Sequence, residues 1–212
     1  MSFQATRMLT PGPTPIPDRV RLAMAAPIPH HRKDAFKQIM AENQTIVSDR
    51  KAFSLDEQLR DCMLLFEEQW SSKDIPITMN LEPITYYQNP ELLSHVWTNL
   101  ISNAIKFTRP GGRLHVSCSK NDVWVSVTVT DNGIGMDEET ISHVFEKFYQ
   151  GDKSHSTPGN GLGLALTKRI VDMAGGFIRI KSMPDIGSTF HISLPVNPPT
   201  EPSKGENVII ER

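Results

Sequence analysis

Two amides and an amine recur at helical spacing in the middle of the chain. Asn99, Asn103 and Lys106 stand at i, i+4 and i+7, so on a helix they would form one ridge. An amide oxygen is a suitable ligand for Mg²⁺, and an ammonium group can meet phosphate oxygens. A metal and phosphate site is one interpretation of this row, and an ordinary solvated helix face is the alternative.

A second group, Asp131, Gly133 and Gly135, stands where a predicted buried strand ends. A carboxylate there could accept a hydrogen bond from an exocyclic amine, and the two glycines would let the backbone close around a flat base. Asp and Gly also favour turns for backbone reasons alone, so a simple turn is the alternative.

The third group is Gly161, Leu162, Gly163 and Leu164, which opens a predicted helix. The unpaired N–H groups and the dipole of a helix start favour phosphate. No strand leads into this segment and no Gly-Lys-Ser/Thr follows, so it is neither a Rossmann fingerprint nor a P-loop. A helix packed closely through glycine is the alternative interpretation.

Capping residues and periodicity predict the elements that would position these groups. Ser54 and Glu57 form a candidate capping box for a helix that runs to about Trp70. Two further helices are predicted over residues 89–107 and 162–173. Short extended pieces are expected at 75–81 and 84–87, and period-two alternation predicts four strands of one mostly antiparallel sheet, around residues 114–118, 123–129, 178–180 and 190–194.

Composition restricts the classes of partner. The 212 residues carry a formal net charge of -2, without the basic excess typical of nucleic-acid binding. Cys62 and Cys118 lie far apart, which predicts buried free thiols and no disulfide framework or zinc site. Without an apolar run of about 18 residues, we expect no membrane contact in this chain and a cytoplasmic location, either as a free protein or as the cytosolic part of a membrane-bound receptor.

In order and spacing these motifs resemble the GHKL ATPase superfamily, and most closely the catalytic domain of sensor histidine kinases. The resemblance covers about residues 45–196. It implies an α+β, two-layer sandwich of the Bergerat type, with a mixed, mostly antiparallel sheet and helices on one face. The matching segments are an N box at Asn99–Phe107, glycine boxes at Asp131–Gly135, Gly159–Leu164 and Gly187–Phe190, and an F box at Phe145–Phe148.

The resemblance also implies roles for single residues in the binding of ATP and Mg²⁺. Asn103 would hold the metal and Lys106 would meet phosphate. Asp131 would bind the adenine amine beside Gly133 and Gly135. The remaining implied contacts are Phe107 near the base, Gly161, Leu162, Gly163 and Leu164 at the phosphates, Thr189 near the adenine pocket, and Lys153 in a mobile lid over residues 149–158, which Phe145 and Phe148 would anchor.

Asn99 distinguishes branches of the superfamily, because members that hydrolyse ATP carry a water-activating Glu at that position. An amide cannot take a proton at neutral pH. The implied function is therefore donation of the γ-phosphoryl group to an acceptor rather than to water. His95, one turn earlier, is a further candidate base, with a neutral helix-surface histidine as the alternative.

The first 44 residues are proline-rich and depart from a complete histidine kinase. Residues 8–32 resemble the opening segment of class V aminotransferases, which predicts a fused junction near residue 40. No H-E-x-x-T-P-like box surrounds His30 or His31, so we expect the acceptor histidine on dimerisation helices outside these residues, and a response regulator as further partner. A non-catalytic ATP-dependent module, or a serine kinase like the anti-sigma kinases, is the alternative, and residues 197–212 are expected to be a loose polar tail.

Overall fold

The computed structural model describes residues 49–149, 161–199 and 208–211. The aminotransferase-like segment, His30, His31 and most of the predicted lid with Lys153 lie outside these residues. Within the described residues, no helix has the length and apolar character that crossing a membrane requires.

The first described elements form a small two-stranded sheet with two helices. Strand β1 (Lys51–Ser54) pairs antiparallel with β3 (Thr85–Gln88). Helix α1 (Leu55–Leu64) and helix α2 (Glu67–Ser72) follow β1, and strand β2 (Ile77–Leu81) comes next. The predicted extended pieces at 75–81 and 84–87 are thus strands in the structure.

The predicted single helix from Ser54 to Trp70 is divided, because the helix ends at Leu64 and a new one begins at Glu67. The expected capping box is also wrong. The Ser54 hydroxyl donates to Asp56 Oδ1 at 2.7 Å instead of capping the helix. The same Asp56 oxygen accepts from the Ile84 N–H at 3.3 Å, so this polar group ties α1 to the start of β3.

Helix α3 (Pro90–Phe107) is the long central helix, as the sequence predicts. Asn89 caps it, because its side chain accepts from the N–H groups of Glu91 and Leu92 at 3.0 and 3.2 Å. Trp97 is fully buried on its core face, and its indole N–H donates to Gln58 Oε1 at 2.9 Å. This packing fixes the rotation of α3 and therefore the direction in which its polar ridge points.

The main sheet has six strands in the order β2-β4-β5-β7-β6-β8. Neighbours pair antiparallel except at the two edges, where β2 is parallel to β4 and β8 is parallel to β6. The remaining elements are β4 (Leu114–Lys120), β5 (Trp124–Asp131), α4 (Glu138–His143), α5 (Gly163–Met173), β6 (Phe177–Met183), β7 (Gly187–Pro195) and β8 (Val208–Glu211).

The two faces of the sheet differ in chemistry. Val125, Val127 and Val129 of β5 are buried towards α3, while Ser126 and Thr128 between them face outward and are half-buried. A mostly antiparallel sheet with helices on one face confirms the predicted fold class. We use the term outer face for the side of the sheet away from the helices.

The C-terminal segment differs from the prediction in one element. Residues 208–211 were expected to belong to a loose tail, but Val208–Glu211 adds to the edge of β6 as β8. The physical reason is local, since Val208, Ile209 and Ile210 are β-branched residues that favour a pleated strand.

Candidate functional site

The polar ridge of α3 borders the core, as its spacing predicts. Asn103 is half-buried, and its amide makes no hydrogen bond to another described residue. The Lys106 ammonium lies 4.8 Å from the centre of the Phe107 ring, which is 37% exposed at the end of the helix. An amide oxygen and a cation are therefore presented side by side over the last two turns of α3.

Asn99 has a structural contact that the sequence did not reveal. The residue is 5% exposed, and its amide nitrogen donates to the Gly163 carbonyl oxygen at 3.2 Å. A Cβ at Gly163 would stand 3.2 Å from Asn99 Oδ1, so the glycine permits this close approach. Asn99 thus holds the start of α5 against α3, which a carboxylate could not do by the same bond because it has no donor.

The start of α5 is open to an anion. Its N-cap residue makes no side-chain hydrogen bond to the helix, and the first N–H groups of a helix have no partner within it. Leu162 stands at the N-cap, and the side chain of Leu164 packs partly against the core. Gly161 adopts a φ of 61°, and its carbonyl accepts from the Phe148 N–H at 2.9 Å. The glycine-rich segment therefore connects the helix start to the residues that precede the predicted lid.

The two phenylalanines of the F box differ in their surroundings. Phe145 packs against the core, whereas Phe148 is 71% exposed. Of the two, Phe145 is therefore the one whose side chain is held by the core of the described residues.

Asp131 ends β5 inside the molecule, at 8% exposure. Its Oδ1 accepts from the Gly133 N–H at 2.8 Å. Burial raises the pKa of this carboxyl group, and the backbone N–H groups of Gly133 and Ser188 oppose that effect. The following Ile134 N–H donates to the Phe107 carbonyl at 3.2 Å, which brings the Asp131 loop to the end of α3.

Thr189 does not lie where the sequence interpretation put it. Its hydroxyl is 3.2 Å from that of Thr130 on the outer face of the sheet. Its neighbour Ser188 is the residue paired with Asp131, and it is 8% exposed. The reason is the alternation of β7, since Phe190, Ile192 and Leu194 are buried against the helices and Ser188 shares their side of the strand. Ser188 is therefore the hydroxyl residue that is in register with Asp131 and on the same side of the sheet.

Lys73 is a second residue that sequence reasoning missed. Its ammonium donates to the carbonyl oxygens of Ile105, Lys106 and Thr108 at 2.8, 2.9 and 3.0 Å. A cation at these unpaired carbonyls complements the helix dipole and fixes the end of α3. The contact spans more than 30 residues of sequence, and no local pattern announces it.

Gly135 packs where no side chain fits. Its φ is 65°, and a Cβ would collide with the carbonyl oxygen of Met183, the last residue of β6. We expect Gly135→Ala to lower the free energy of unfolding by about 3 kcal/mol, the sum of left-handed strain and overpacking. Urea denaturation followed by circular dichroism measures the change.

Gly111 supplies the matched control for that substitution. Its φ is 73°, but nothing lies within 4 Å of the position of its Cβ. Gly111→Ala should therefore show only the strain, about 1–2 kcal/mol. Equal losses for the two variants would mean that the contact with Met183 is not made in solution.

The candidate site extends along α3 and has two ends. The open start of α5 lies beside Asn99, and the Asp131 loop lies beside Phe107. Eight residues of helix separate these ends, a rise of about 12 Å. The arrangement offers N–H groups for phosphate at one end, a buried carboxylate for an amine at the other, and Asn103 with Lys106 between them.

The chain is similar to known ATP-binding proteins and kinases. A family model described as histidine kinase-, DNA gyrase B-, and HSP90-like ATPase matches residues 88–198. The heme sensor protein HssS of Staphylococcus saprophyticus is 39% identical over 139 residues, which are 65% of this chain and 30% of that protein. The signal transduction histidine-protein kinase BarA of Escherichia coli is 35% identical over 171 residues, which are 75% of this chain and 18% of that protein.

Solved structures give the same result for the fold. The mycobacterial sensor histidine kinase MprB superposes with a TM-score of 0.62 at 28% identity, covering 71% of this chain and 99% of that chain. The nucleotide-free catalytic domain of the histidine kinase ThkA gives a TM-score of 0.63 at 25% identity, covering 72% and 99%. The chain spans less than a third of the length of the two curated relatives HssS and BarA.

Proposed function

This chain belongs to the histidine kinase-, DNA gyrase B- and HSP90-like ATPases, and we propose that it binds Mg-ATP for phosphoryl transfer. The part of the chain that matches is the ATP-binding catalytic domain of a histidine kinase. The acceptor would be a histidine on dimerisation helices outside these 212 residues. A response regulator would receive the phosphoryl group in turn, in the cytoplasm.

The observation that carries the proposal is the pairing of Asn99 with Gly163. This bond joins the amide ridge of α3 to the open start of α5, although 64 residues separate the two in sequence. It supports one shared site for two features that were each ambiguous alone, and the Ile134 bond to the Phe107 carbonyl supports adding the Asp131 loop to it. A solvated helix face, the alternative for the ridge, does not account for an amide that is 5% exposed and bonded to a second helix.

Each end of the site has a distinct task in this proposal. The N–H groups at Gly163 and Leu164 would bind phosphate oxygens, and Lys106 would turn from the Phe107 ring to do the same. The Asp131 carboxylate would accept from the adenine amine, while Gly133 and Gly135 keep the floor free of side chains. The backbone at the start of α5 would hold the terminal phosphoryl group in line with an incoming imidazole, and such positioning supplies most of the catalysis in phosphoryl transfer.

The donor set of α3 fits a magnesium ion. Among the described residues no group of three or more His, Cys, Asp and Glu side chains converges. Asn103 instead presents one amide oxygen without a hydrogen-bond partner among the described residues. Mg²⁺ commonly accepts one or two protein oxygens and completes its shell with phosphates and water. When bound, the ion would neutralise charge on the phosphate oxygens.

Replacing Asn103 with Ala should weaken binding of Mg-ATP about tenfold, as expected for loss of one charge-assisted contact. Binding of ATP in the presence of EDTA should change little, since the amide serves the metal in this proposal. Isothermal titration calorimetry with and without Mg²⁺ measures both quantities.

Asn80→Ala is the control, because Asn80 is exposed on the edge strand β2. This variant should bind like the wild type under both conditions. If removing the metal changed wild type and Asn103→Ala by the same factor, Asn103 would not be the ligand.

A further inference from the structure

A cavity of about 540 Å³ lies on the outer face of the sheet, opposite the helices. It is found where β5 ends and where the chain turns between β6 and β7. Pockets of about 300–1,000 Å³ commonly hold small molecules. Among the described residues, Asp131 is the one with a task in the proposed nucleotide site that also borders this cavity.

The floor of the cavity is one rung of side chains across five strands. In register these are Thr78, His115, Thr130, Thr189 and Lys181. Since their strand neighbours Val116, Val129 and Ile180 are buried against the helices, the rung points to the outer face. The hydroxyls of Thr130 and Thr189 meet at its centre, 3.2 Å apart.

Basic side chains stand on both walls of the cavity. Arg113, just before β4, and His115 at the β4 end of the rung lie on one side, and Lys181 at the β6 end lies on the other. Three strand spacings separate the two walls, about 14 Å between backbones, which long side chains can close over a small molecule. Met183 and Ile186, which are 61% and 66% exposed, add an apolar rim beside Lys181.

The basic side chains of these walls form no ion pair with another described residue, although Glu211 of β8 stands in register beside Lys181. The side chains of Arg113 and Lys181 have no hydrogen bond or ion pair with the side chain of another described residue. Asp131 is the acidic residue of the lining, and its Oδ1 is engaged by the Gly133 N–H. Its place in the alternation of β5 also puts its side chain on the helix side.

We propose that this outer-face cavity is a second ligand site that takes a small organic anion, a carboxylate or phosphate ester with an apolar body. Arg113 and Lys181 hold the anionic group, because guanidinium and ammonium groups form charge-assisted hydrogen bonds with both classes. One hydroxyl of the Thr130–Thr189 pair donates to a remaining oxygen of the ligand, while the other donates to its partner. Met183 and Ile186 cover the apolar body.

The test uses the whole chain and three probes that share one ring system: 1-naphthyl phosphate, 1-naphthoate and uncharged 1-naphthalenemethanol. Calorimetry gives the affinities, and ¹H–¹⁵N NMR spectra locate the bound probe. We expect at least one of the two anions to bind at least tenfold more tightly than the alcohol. Its binding should shift the amide signals of Thr130, Thr189 and Lys181. The anion that binds more tightly identifies the class of ligand.

Two variants and a control decide whether the cavity is the site. Arg113→Met and Lys181→Met should each weaken binding of the anion about tenfold. Both residues are exposed, so unfolding midpoints should match the wild type. Lys120→Met, an exposed position at the far end of β4, should bind the anion like the wild type.

Three results would overturn the proposal. The first is an absence of binding by both anions, or equal affinity for the alcohol. The second is equal weakening by Lys120→Met, which would show unspecific attraction. The third is a probe that saturating Mg-ATP displaces and that shifts the amide signal of Asn103 rather than that of Thr189. Such a result would place the probe in the nucleotide site.

Discussion

The Asp131→Asn variant is expected to bind ATP about ten- to hundredfold more weakly than the wild type while keeping its fold. A carboxylate that accepts from an amine contributes about 1.5–3 kcal/mol, and each 1.4 kcal/mol is tenfold in affinity. The replacement is nearly isosteric. Its amide oxygen can still accept from the Gly133 N–H, so the backbone of the glycine loop keeps its bond. Calorimetric titration with Mg-ATP measures the loss.

The Asp131→Asn variant should lose affinity for ATP without losing free energy of unfolding. Burial raises the pKa of the Asp131 carboxyl group, so the folded state disfavours its charged form. The associated penalty is absent at pH values below the ordinary Asp range and grows as the pH rises through the raised pKa. At neutral pH the Asn variant should therefore be at least as stable as the wild type in urea denaturation. A variant that lost both affinity and stability would have lost ATP through unfolding.

Base selectivity and pH give two further readouts of the same residue. Wild-type affinity for ATP should exceed that for GTP, since a carboxylate is repelled by the carbonyl that guanine presents in place of the amine. As pH falls through the raised pKa, wild-type affinity should decline, whereas the Asn variant should not follow. Asp122→Asn, exposed in the turn before β5, is the matched control. Comparable affinities for ATP and GTP in the wild type would remove the role given to Asp131.

Much of this fold is encoded locally, and the sequence predicts that part well. The alternation of Val125, Val127 and Val129 identifies a strand with one buried face, and the structure has it. Asn89 and Pro90 mark the start of α3, where the cap and the first helical residue are found. Gly175 ends α5 with a φ of 75°, as a glycine after a helix often does.

Sequence reasoning misplaces or misses site residues in two situations. In one, the partner of a residue is distant in sequence; in the other, a shift of one residue along a strand moves a side chain to the opposite face of the sheet. Ser188 and Thr189 are both hydroxyl residues, and only strand alternation decides which one borders Asp131. That signal was present, because Phe190, Ile192 and Leu194 share the face of Ser188. The bonds of Asn99 to Gly163 and of Lys73 to the end of α3 had no such signal, since nothing near either residue announces its partner.

The chain alone is expected to bind ATP without becoming labelled from its γ-phosphoryl group. Transfer requires an acceptor held in line, and no H-E-x-x-T-P-like segment occurs in the 212 residues. Water is not expected to substitute, because Asn99 is an amide whose nitrogen already donates to Gly163. A second protein carrying a helical hairpin with the acceptor histidine should take up label, and the label should be lost in acid. Incubation with γ-³²P-ATP followed by electrophoresis measures both.

At ATP concentrations below saturation, Asn103→Ala should slow the labelling of the added hairpin about tenfold, in line with its weaker binding of Mg-ATP. Asn80→Ala, its exposed counterpart on β2, should leave the labelling rate unchanged. Acid-stable label on the hairpin would point to serine as acceptor and replace the histidine kinase proposal by its alternative. Label on His30 or His31 in the chain alone would overturn the expectation more completely. Those two histidines have basic neighbours, Arg32 and Lys33, and the acceptor would then stand in the proline-rich segment. Because the nucleotide site would be the same in all of these outcomes, the acid stability and position of the label, rather than ATP binding, decide which acceptor this domain serves.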